Sequence, residues 1–174
     1  MKILALSGSL RATSVNSALL AVAAKLAPPG IAIALYRDLA ALPAFNPDND
    51  CEPLPEAAAR LRQEVAAADG LITAVPEYAR GLPGAFKNAL GWLVGSTEFP
   101  GKPIMLINAA PRAFHAQSQL REILSTMSAR LVAEAFVTVK APHETTTIEA
   151  LLADPAIAGP LRIGIERFVA VIGA

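Results

Sequence analysis

A segment rich in hydroxyl groups lies near the start of the chain and contains one arginine. It reads Ser7-Gly8-Ser9-Leu10-Arg11-Ala12-Thr13-Ser14-Val15-Asn16-Ser17. Backbone amides, hydroxyls and a guanidinium at the start of a helix suit a phosphate dianion, because the helix dipole and charge-assisted hydrogen bonds act on the same group. A simpler interpretation is that Ser14 or Asn16 only caps the helix, since hydroxyl-rich caps are common. The position of the segment after an apolar strand favours the phosphate site.

The same segment lacks the features of two common nucleotide-binding loops. It has no Gly-Lys-Ser/Thr sequence, so the lysine and the metal-binding hydroxyl of a nucleoside-triphosphate loop are missing. It also lacks the three spaced glycines that a primary dinucleotide site needs for close approach to the pyrophosphate. A monophosphate is therefore the predicted ligand, and Arg11 supplies the only full charge.

A second segment, from Pro76 to Trp92, follows another apolar strand and is rich in proline and glycine. A rigid loop that exposes N–H groups at a strand end suits the polar edge of a flat ring system and leaves one ring face open to a substrate. This arrangement is typical of a flavin site, and Glu77 and Tyr78 are its candidate contacts. The alternative is that the segment only starts a helix whose apolar side chains fill the core, namely Phe86, Leu90 and Trp92.

The elements that must position these segments alternate along the chain. Apolar runs predict five strands, at Lys2–Ser7, Ile31–Tyr36, Gly70–Val75, Pro103–Asn108 and Leu131–Val139. Helical spacing and helix-end signals predict five helices, at 16–27, 56–68, 83–93, 117–127 and 160–172. The stretch 38–55 contains four prolines and several Asn and Asp residues, which predicts a long surface loop.

This alternation predicts an α/β fold with a parallel sheet and helices on both faces. Five strands and a first loop of this kind favour a flavodoxin-like three-layer sandwich with strand order 2-1-3-4-5 over the dinucleotide-binding order. Ligands of such sheets bind outside the carboxyl ends of the strands, at the point where the order reverses. Both segments follow strands that end there.

Composition narrows the classes of function. The length of 174 residues fits a single domain, 1–174. The 15 basic and 15 acidic residues balance, so nucleic acid is not an expected partner. Cys51 is the single cysteine, which excludes an internal disulfide and a multi-thiolate metal site and favours the cytoplasm. Apolar runs fall short of the ~20 residues of a membrane-spanning helix, so no membrane is expected.

Together the two loops resemble the NADPH-dependent FMN reductase family, which includes soluble quinone, chromate and azo-dye reductases of flavodoxin-like fold. Gly8-Ser9-Leu10-Arg11 with Ser14 and Asn16 resembles its phosphate loop, and Pro76-Glu77-Tyr78 through Lys87-Asn88-Ala89 resembles its ring loop. The resemblance implies that the FMN phosphate is held by Ser9, Arg11, Ser14, Val15, Asn16 and Ser17. It implies that the isoalloxazine is lined by Pro76, Glu77, Tyr78 and the Ala79 amide. Two further candidates, Ala110 and Arg112, follow the fourth strand.

The resemblance also implies a mechanism and an assembly. Bound FMN takes a hydride from NADPH or NADH and then reduces a small-molecule acceptor in a ping-pong sequence. The expected acceptors are quinones, chromate, azo compounds or free flavin. No side chain is expected to act as an indispensable acid or base, because the cofactor carries the chemistry and the protein orients and tunes it. A homodimer or a homotetramer is expected.

The chain departs from the family pattern in two places. Relatives usually have Asp where this chain has Gly91, a change expected to weaken the helix by up to ~1 kcal/mol relative to Ala. The loop 108–117 lacks the glycine pair of many relatives, so its pocket rim is expected to differ. In this loop Arg112 and His115 are candidates for the phosphates of a nicotinamide nucleotide, but a lone arginine and histidine at a helix start are more often surface groups. The same reservation applies to His143.

Two other functions share this fold. A flavodoxin-type carrier would bind FMN and pass electrons to a protein partner, but such carriers steer their partners electrostatically and this chain has no net charge. A relative that has lost flavin would keep the fold and serve a regulatory role. Flavin absorbance and NAD(P)H oxidation without an accessory protein distinguish these functions from the enzyme.

Overall fold

A computed structural model describes residues 1–142 and 147–173 of the chain. Its strands are β1 (Lys2–Ser7), β2 (Ala32–Tyr36), β3 (Gly70–Ala74), β4 (Pro103–Asn108), β5 (Arg130–Leu131) and β6 (Val137–Thr138). All pairs are parallel, and the sheet order is β2-β1-β3-β4-β5, with β6 also paired to β4. The predicted α/β fold and the predicted order 2-1-3-4-5 are confirmed.

The last predicted strand is interrupted. Instead of one strand over 131–139, β5 pairs with the start of β4 and β6 pairs with its end. A 3₁₀ turn, Ala133–Ala135, separates them. Val132 and Ala135 remain buried across the break, so the apolar pattern continues through the turn. The sequence predicted one continuous strand because these residues are buried like strand residues, although the chain turns between them.

The helices are α1 (Val15–Lys25), α2 (Glu56–Ala66), α3 (Gly84–Val94), α4 (Phe114–Thr126), α5 (Ile148–Ala153) and α6 (Pro155–Ile172). The short α5 was not predicted. The predicted start of the last helix at Pro160 is wrong, because Asp154 caps an earlier start at Pro155. Pro160 therefore lies inside α6. Two 3₁₀ turns, Leu39–Ala41 and Pro47–Asn49, lie within the predicted loop 38–55.

Two apolar cores cover the two faces of the sheet. Alternate residues of β1, such as Ile3 and Ala5, face a core that includes residues of α1, α5 and α6. Their neighbours Leu4 and Leu6 face a second core with residues of α2, α3 and α4. Burial on both faces is the pattern expected of a parallel sheet between helical layers. The alternative interpretation, in which apolar side chains of the third helix fill the core, is confirmed for Phe86, Leu90 and Trp92. All three are buried in the second core.

None of the helices within the described residues is both long and apolar enough to span a membrane.

Candidate functional site

The segment between β1 and α1 forms a loop at the carboxyl edge of the sheet. Ser14 caps α1, and its hydroxyl accepts a hydrogen bond from the Ser17 amide at 3.4 Å. Among the described residues, the amides of Val15 and Asn16 have no acceptor, as expected for the first turn of a helix. Ser14 therefore caps the helix, and the amides of Val15 and Asn16 remain as donors at the positive end of the α1 dipole.

Hydroxyl groups set the path of this loop. The Ser7 and Ser17 hydroxyl oxygens lie 2.8 Å apart, and the Ser7 hydroxyl accepts from the Ser9 amide at 3.3 Å. The Ser9 hydroxyl in turn accepts from the Arg11 amide at 3.3 Å. Ser7 was not among the predicted site residues, although it belongs to both the predicted first strand and the hydroxyl-rich segment. It links the strand, the loop and the helix.

Asn16 supplies an unsatisfied polar group beneath the loop. The residue is 4% exposed, and its side-chain oxygen has no hydrogen-bond partner among the described residues. A buried amide without partners is unfavourable. Rotation of the amide by 180° exchanges oxygen and nitrogen, so the side chain can offer donors to an anion at the helix start. The site therefore has an unused polar group where a ligand phosphate is predicted.

Gly8 joins this loop to the one after β3. Its amide donates to the Ala74 carbonyl at 2.9 Å. A Cβ atom at Gly8 would lie 2.7 Å from Val75 Cγ1 and 3.1 Å from Val75 Cα. Glycine is needed for this close approach, which places the two predicted loops side by side.

The loop after β3 turns sharply at its tip. The Tyr78 amide donates to the Gly81 carbonyl at 3.0 Å, and the Gly81 amide donates to the Tyr78 carbonyl at 2.9 Å. The two residues between them, Ala79 and Arg80, have φ angles of 49° and 61°. Left-handed conformations at both central residues are those of a type I′ turn, which usually contains Asn-Gly. Ala-Arg carries no such signal, so the sequence did not predict this turn.

Helix α4 holds both sides of this turn. The Glu77 carboxylate accepts from the Ala116 amide at 3.0 Å, in the first turn of α4, where the helix dipole favours a negative charge. The Gln119 side-chain oxygen accepts from the Leu82 amide at 2.8 Å. Gln119 was not predicted as a site residue. The carboxylate of Glu77 is thus engaged in fixing the loop, and Tyr78 is 49% exposed beside it.

The loop after β4 completes this edge. The Asn108 side-chain oxygen accepts from the Ala110 amide at 3.0 Å, and the Ala110 carbonyl accepts from the Ala113 amide at 2.9 Å. Arg112 is exposed on the resulting turn. His115 is partly buried, and its ring lies 3.9 Å from that of the exposed Phe114. His143, the other histidine, lies outside the described residues.

Comparison with known proteins shows the family of this chain. The model of the family described as NADPH-dependent FMN reductase matches residues 1–144, which include both loops. The chain belongs to this family. It is 40% identical over 129 residues to an NAD(P)H-dependent FMN reductase of Pseudomonas aeruginosa, covering 71% of this chain and 69% of the relative. It is 35% identical over 156 residues to a 2-hydroxy-1,4-benzoquinone reductase of Burkholderia sp, covering 86% and 83%.

Solved structures place this FMN reductase family member among flavoenzymes. The structure of FerB, a flavoenzyme NAD(P)H:(acceptor) oxidoreductase from Paracoccus denitrificans, superimposes with a TM-score of 0.80 at 28% identity. The alignment covers 99% of this chain and 97% of FerB. The common architecture extends over the whole sheet and both loops.

Gly91, where the resemblance led us to expect Asp, has a packing role. A Cβ atom at Gly91 would lie 3.0 Å from Phe45 Cγ and 3.2 Å from Phe45 Cβ. Phe45 is anchored there, because its amide donates to the Asn88 side-chain oxygen at 2.7 Å and its ring meets Trp92 edge-on at 5.2 Å. The position that lacks the expected charged side chain is therefore the one where the loop containing Phe45 packs directly on α3.

Tyr36, at the end of β2, adds a pH-dependent element to this FMN reductase. Its hydroxyl is buried without a partner among the described residues. Burial raises the pKa of Tyr36 from 10.0 to about 12, and the negative charges of Asp38 and Glu64 contribute to the rise. The positive charge of Arg60 lowers this pKa but does not offset the other causes. The native state therefore favours the neutral phenol.

The raised pKa predicts a loss of stability at alkaline pH. This contribution to stability is complete below about pH 10 and is lost as pH rises through about 12. We expect Tyr36→Phe to be at least as stable as wild type near neutrality, and to lose roughly 1 kcal/mol less between about pH 9 and about pH 11. Urea unfolding at both pH values measures the difference, with the exposed Tyr78→Phe as control. Equal alkaline losses in wild type and Tyr36→Phe would refute the prediction.

Proposed function

We propose that this chain binds one FMN at the carboxyl edge of its sheet and uses it to reduce quinones with NADPH or NADH. The observation that carries the proposal is the contact between the two loops, where the Gly8 amide donates to the Ala74 carbonyl at 2.9 Å. This contact holds the loop proposed for the phosphate beside the loop proposed for the ring, at the point where the strand order reverses. Quinones are favoured among the possible acceptors, because relatives of this chain are named as benzoquinone and quinone reductases.

The residues present fit the phosphate of FMN. The first-turn amides of α1 and the unpartnered Asn16 side chain lie at one helix start. Within the described residues, the exposed Arg11 has no carboxylate within ion-pair distance. Free amides, a buried amide group and an uncompensated guanidinium together suit a dianion. We assign the phosphate to Ser9, Arg11, Ser14, Val15, Asn16 and Ser17.

The residues of the second loop fit the ring. Among the described residues, the Ala79 amide has no acceptor, because the turn uses only the amides of Tyr78 and Gly81. It is therefore available to the polar edge of an isoalloxazine, and Pro76 and the Glu77 backbone line the same loop. Ala110 lies on the next loop of this edge. Arg112, on the exposed turn that follows, is assigned to the nicotinamide nucleotide.

The chain's own residues position the reactants. When bound, FMN supplies the transfer of a hydride from NAD(P)H and of electrons to the acceptor. The Glu77 carboxylate already accepts the Ala116 amide and so holds the ring loop on α4. Tyr78, exposed at the tip, borders the open side of the site. We assign no side chain as a catalytic acid or base, because amide donors near the ring supply the electrostatic tuning.

Donor and acceptor are proposed to use the same open side in turn, which predicts ping-pong kinetics. The test starts from purified protein carrying flavin absorbance. NADPH or NADH added without oxygen should bleach that absorbance, and a quinone added afterwards should restore it without any protein partner. Initial rates should give parallel double-reciprocal lines. Intersecting lines would refute the ping-pong order, and a need for a second protein would favour an electron carrier.

Arg11→Ala is expected to weaken FMN binding about tenfold. A charge-assisted hydrogen bond contributes roughly 1.5–3 kcal/mol when desolvated, and the exposure of Arg11 places it at the low end of this range. Quenching of FMN fluorescence on titration with protein measures the dissociation constant. Arg11→Lys keeps the positive charge but loses the planar set of guanidinium donors, so its FMN affinity should lie between those of wild type and Arg11→Ala. An unchanged FMN affinity for Arg11→Ala would contradict the assignment.

We also propose that the chain forms a homodimer or a homotetramer. Three exposed apolar side chains lie on loops or helix starts at the edge that carries the site, namely Leu10, Tyr78 and Phe114. A second copy would remove this apolar surface from water. Sedimentation velocity at micromolar concentration tests the assembly, and a mass equal to one chain would refute it.

A further inference from the structure

The tip of the loop after β3 is built from two residues that rarely adopt its backbone conformation. Ala79 and Arg80 have φ angles of 49° and 61°, both in the left-handed region. This region is unfavourable for residues other than glycine, because the Cβ atom approaches the backbone too closely. Both side chains are exposed, so their own packing does not offset the strain. Groups outside the two residues must therefore hold them in this conformation.

Two kinds of hydrogen bond hold this turn closed. Within the turn, the amides of Tyr78 and Gly81 donate to each other's carbonyl groups at 3.0 and 2.9 Å. Directly after it, the Leu82 amide donates to the side-chain oxygen of Gln119 on α4 at 2.8 Å. Directly before it, the Glu77 carboxylate accepts from an amide in the first turn of α4 at 3.0 Å. The helix therefore fixes both ends of the strained turn.

Gln119 lies against the turn itself. A Cβ atom added at Gly81 would lie 3.4 Å from the Gln119 side-chain oxygen. Gln119 is exposed on α4, so its side chain does not fill the core. Within the described residues, the one hydrogen bond of this side chain is the bond to the Leu82 amide. The contacts of Gln119 therefore indicate a role in the conformation of the turn.

We propose that Gln119 is a positioning residue that keeps the strained turn in the conformation that a bound flavin requires. The proposal rests on the proposed function, in which the Ala79 amide serves the polar edge of the isoalloxazine. Relaxation of Ala79 to a negative φ angle would change the direction of this amide relative to the rest of the loop. An amide donor near the ring favours reduced flavin, which carries more negative charge. Gln119 thus acts on the flavin through the turn.

The absence of a favourable sequence in the turn explains why an anchor on α4 is needed. Turns with two left-handed central residues usually contain Asn-Gly, which adopts this conformation with little strain. This chain has Ala79 and Arg80 at these positions. Strained backbone of this kind persists when the surrounding structure holds it in place, and it is concentrated at functional sites. The hydrogen bond from Leu82 to Gln119 supplies part of that support.

The test first removes this hydrogen bond. In Gln119→Ala we expect FMN to bind roughly tenfold more weakly and the reduction potential of bound FMN to fall. Gln119→Glu keeps an acceptor oxygen, so its FMN affinity should stay within about twofold of wild type. Quenching of FMN fluorescence measures the affinity, and reduction beside a dye of known potential measures the potential. Ser118→Ala, at an exposed neighbouring position on α4, is the matched control.

The second part of the test removes the strain. Ala79→Asn/Arg80→Gly gives the turn the pair that favours its conformation. In this background the turn depends less on α4, so adding Gln119→Ala should change FMN affinity by less than about twofold and leave the potential unchanged. A general structural role of Gln119 would produce the same loss in both backgrounds. The comparison therefore separates positioning from stability.

The Gly81 amide reports on the turn without flavin. It donates to the Tyr78 carbonyl, so Gln119→Ala does not remove its own acceptor. Its hydrogen exchange, followed by NMR, should be several-fold faster in Gln119→Ala than in wild type. Adding Gln119→Ala to the Ala79→Asn/Arg80→Gly background should leave this rate nearly unchanged.

The proposal is supported by losses in Gln119→Ala that are restored in Gln119→Glu and are nearly absent in the Ala79→Asn/Arg80→Gly background. It is overturned if Gln119→Ala keeps wild-type affinity and potential, or if its effect is the same in both backgrounds. It is also overturned if Gln119→Glu or Ser118→Ala loses as much as Gln119→Ala. Wild-type protein that binds no FMN refutes the proposed function instead, and Gly81 exchange then still decides whether Gln119 holds the turn.

Discussion

Gly8→Ala is expected to lower the free energy of unfolding by about 2–3 kcal/mol and to weaken FMN binding by tenfold or more. The added Cβ atom would lie 2.7 Å from Val75 Cγ1, 3.0 Å from Val75 Cβ and 3.1 Å from Val75 Cα. Because the backbone of Val75 is among the contacts, a side-chain rotation cannot relieve all of the overlap. The hydrogen bond from the Gly8 amide to the Ala74 carbonyl should lengthen, and the phosphate loop should move away from the ring loop.

Urea unfolding and FMN fluorescence titration measure the two effects of Gly8→Ala. Gly84→Ala is the matched control, because a Cβ atom there meets nothing within 4 Å at the start of α3. If Gly8→Ala does not fold, the double variant Gly8→Ala/Val75→Ala removes the Cγ1 contact and should recover part of the stability. Wild-type stability and FMN affinity in Gly8→Ala would show that the close approach of the two loops is not required.

Arg62→Ala is expected to lower the free energy of unfolding by about 2–3 kcal/mol. Arg62 Nε donates to the Trp92 carbonyl at 2.8 Å, and its terminal nitrogen donates to the Asp50 carboxylate at 2.6 Å. The side chains of Arg62 and Asp50 are each only 18% exposed. Removing the guanidinium leaves a mostly buried carboxylate without its partner, which is the costly way to break an ion pair. Amide hydrogen exchange in residues 38–55 should accelerate, since this pair ties the loop to α2 and α3.

The same helix provides the control for Arg62→Ala. Arg60 is 49% exposed and lies 4.0 Å and 3.9 Å from two carboxylates, those of Asp38 and Glu56. Arg60→Ala should therefore change stability by less than about 0.5 kcal/mol. The double variant Arg62→Ala/Asp50→Ala should lose less than the sum of the single variants, because neither charge is left unpaired. Equal effects of Arg60→Ala and Arg62→Ala would refute the role given to the buried pair.

Much of the fold was predictable because its signals are local. A run of apolar residues predicts a strand buried on both faces, and its alternation with helices predicts a parallel sheet. Predictions failed where residues are buried but do not have the backbone geometry that their apolar pattern predicts. The residues 131–139 are apolar enough for one strand, yet the chain turns at Ala133–Ala135 between two short pairings. Pro160 resembles a helix start, although Asp154 caps α6 six residues before it.

The candidate site was predictable in composition and only partly in arrangement. The loop with Arg11 and the loop with Glu77 stood out through their residue types and their positions after apolar strands. Their internal geometry did not, since Ala79 and Arg80 adopt left-handed conformations that glycine or asparagine usually signals. The ring contact of Glu77 stays a prediction, and its carboxylate accepts from an amide 39 residues further along the chain, a contact that the sequence did not predict. No local sequence pattern predicts a contact between residues so far apart in the chain.

The sequence by itself determined the kind of sheet, and it contained the residue types on which the proposed phosphate site in the first loop depends. These follow from periodicities of two and 3.6 residues and from residue types within one loop, which act over a few positions. The tertiary structure alone decided which distant groups meet: Gly91 with Phe45, and Gln119 with Leu82. Such contacts depend on how helices pack against the sheet, and packing is settled by shape and volume across the whole fold.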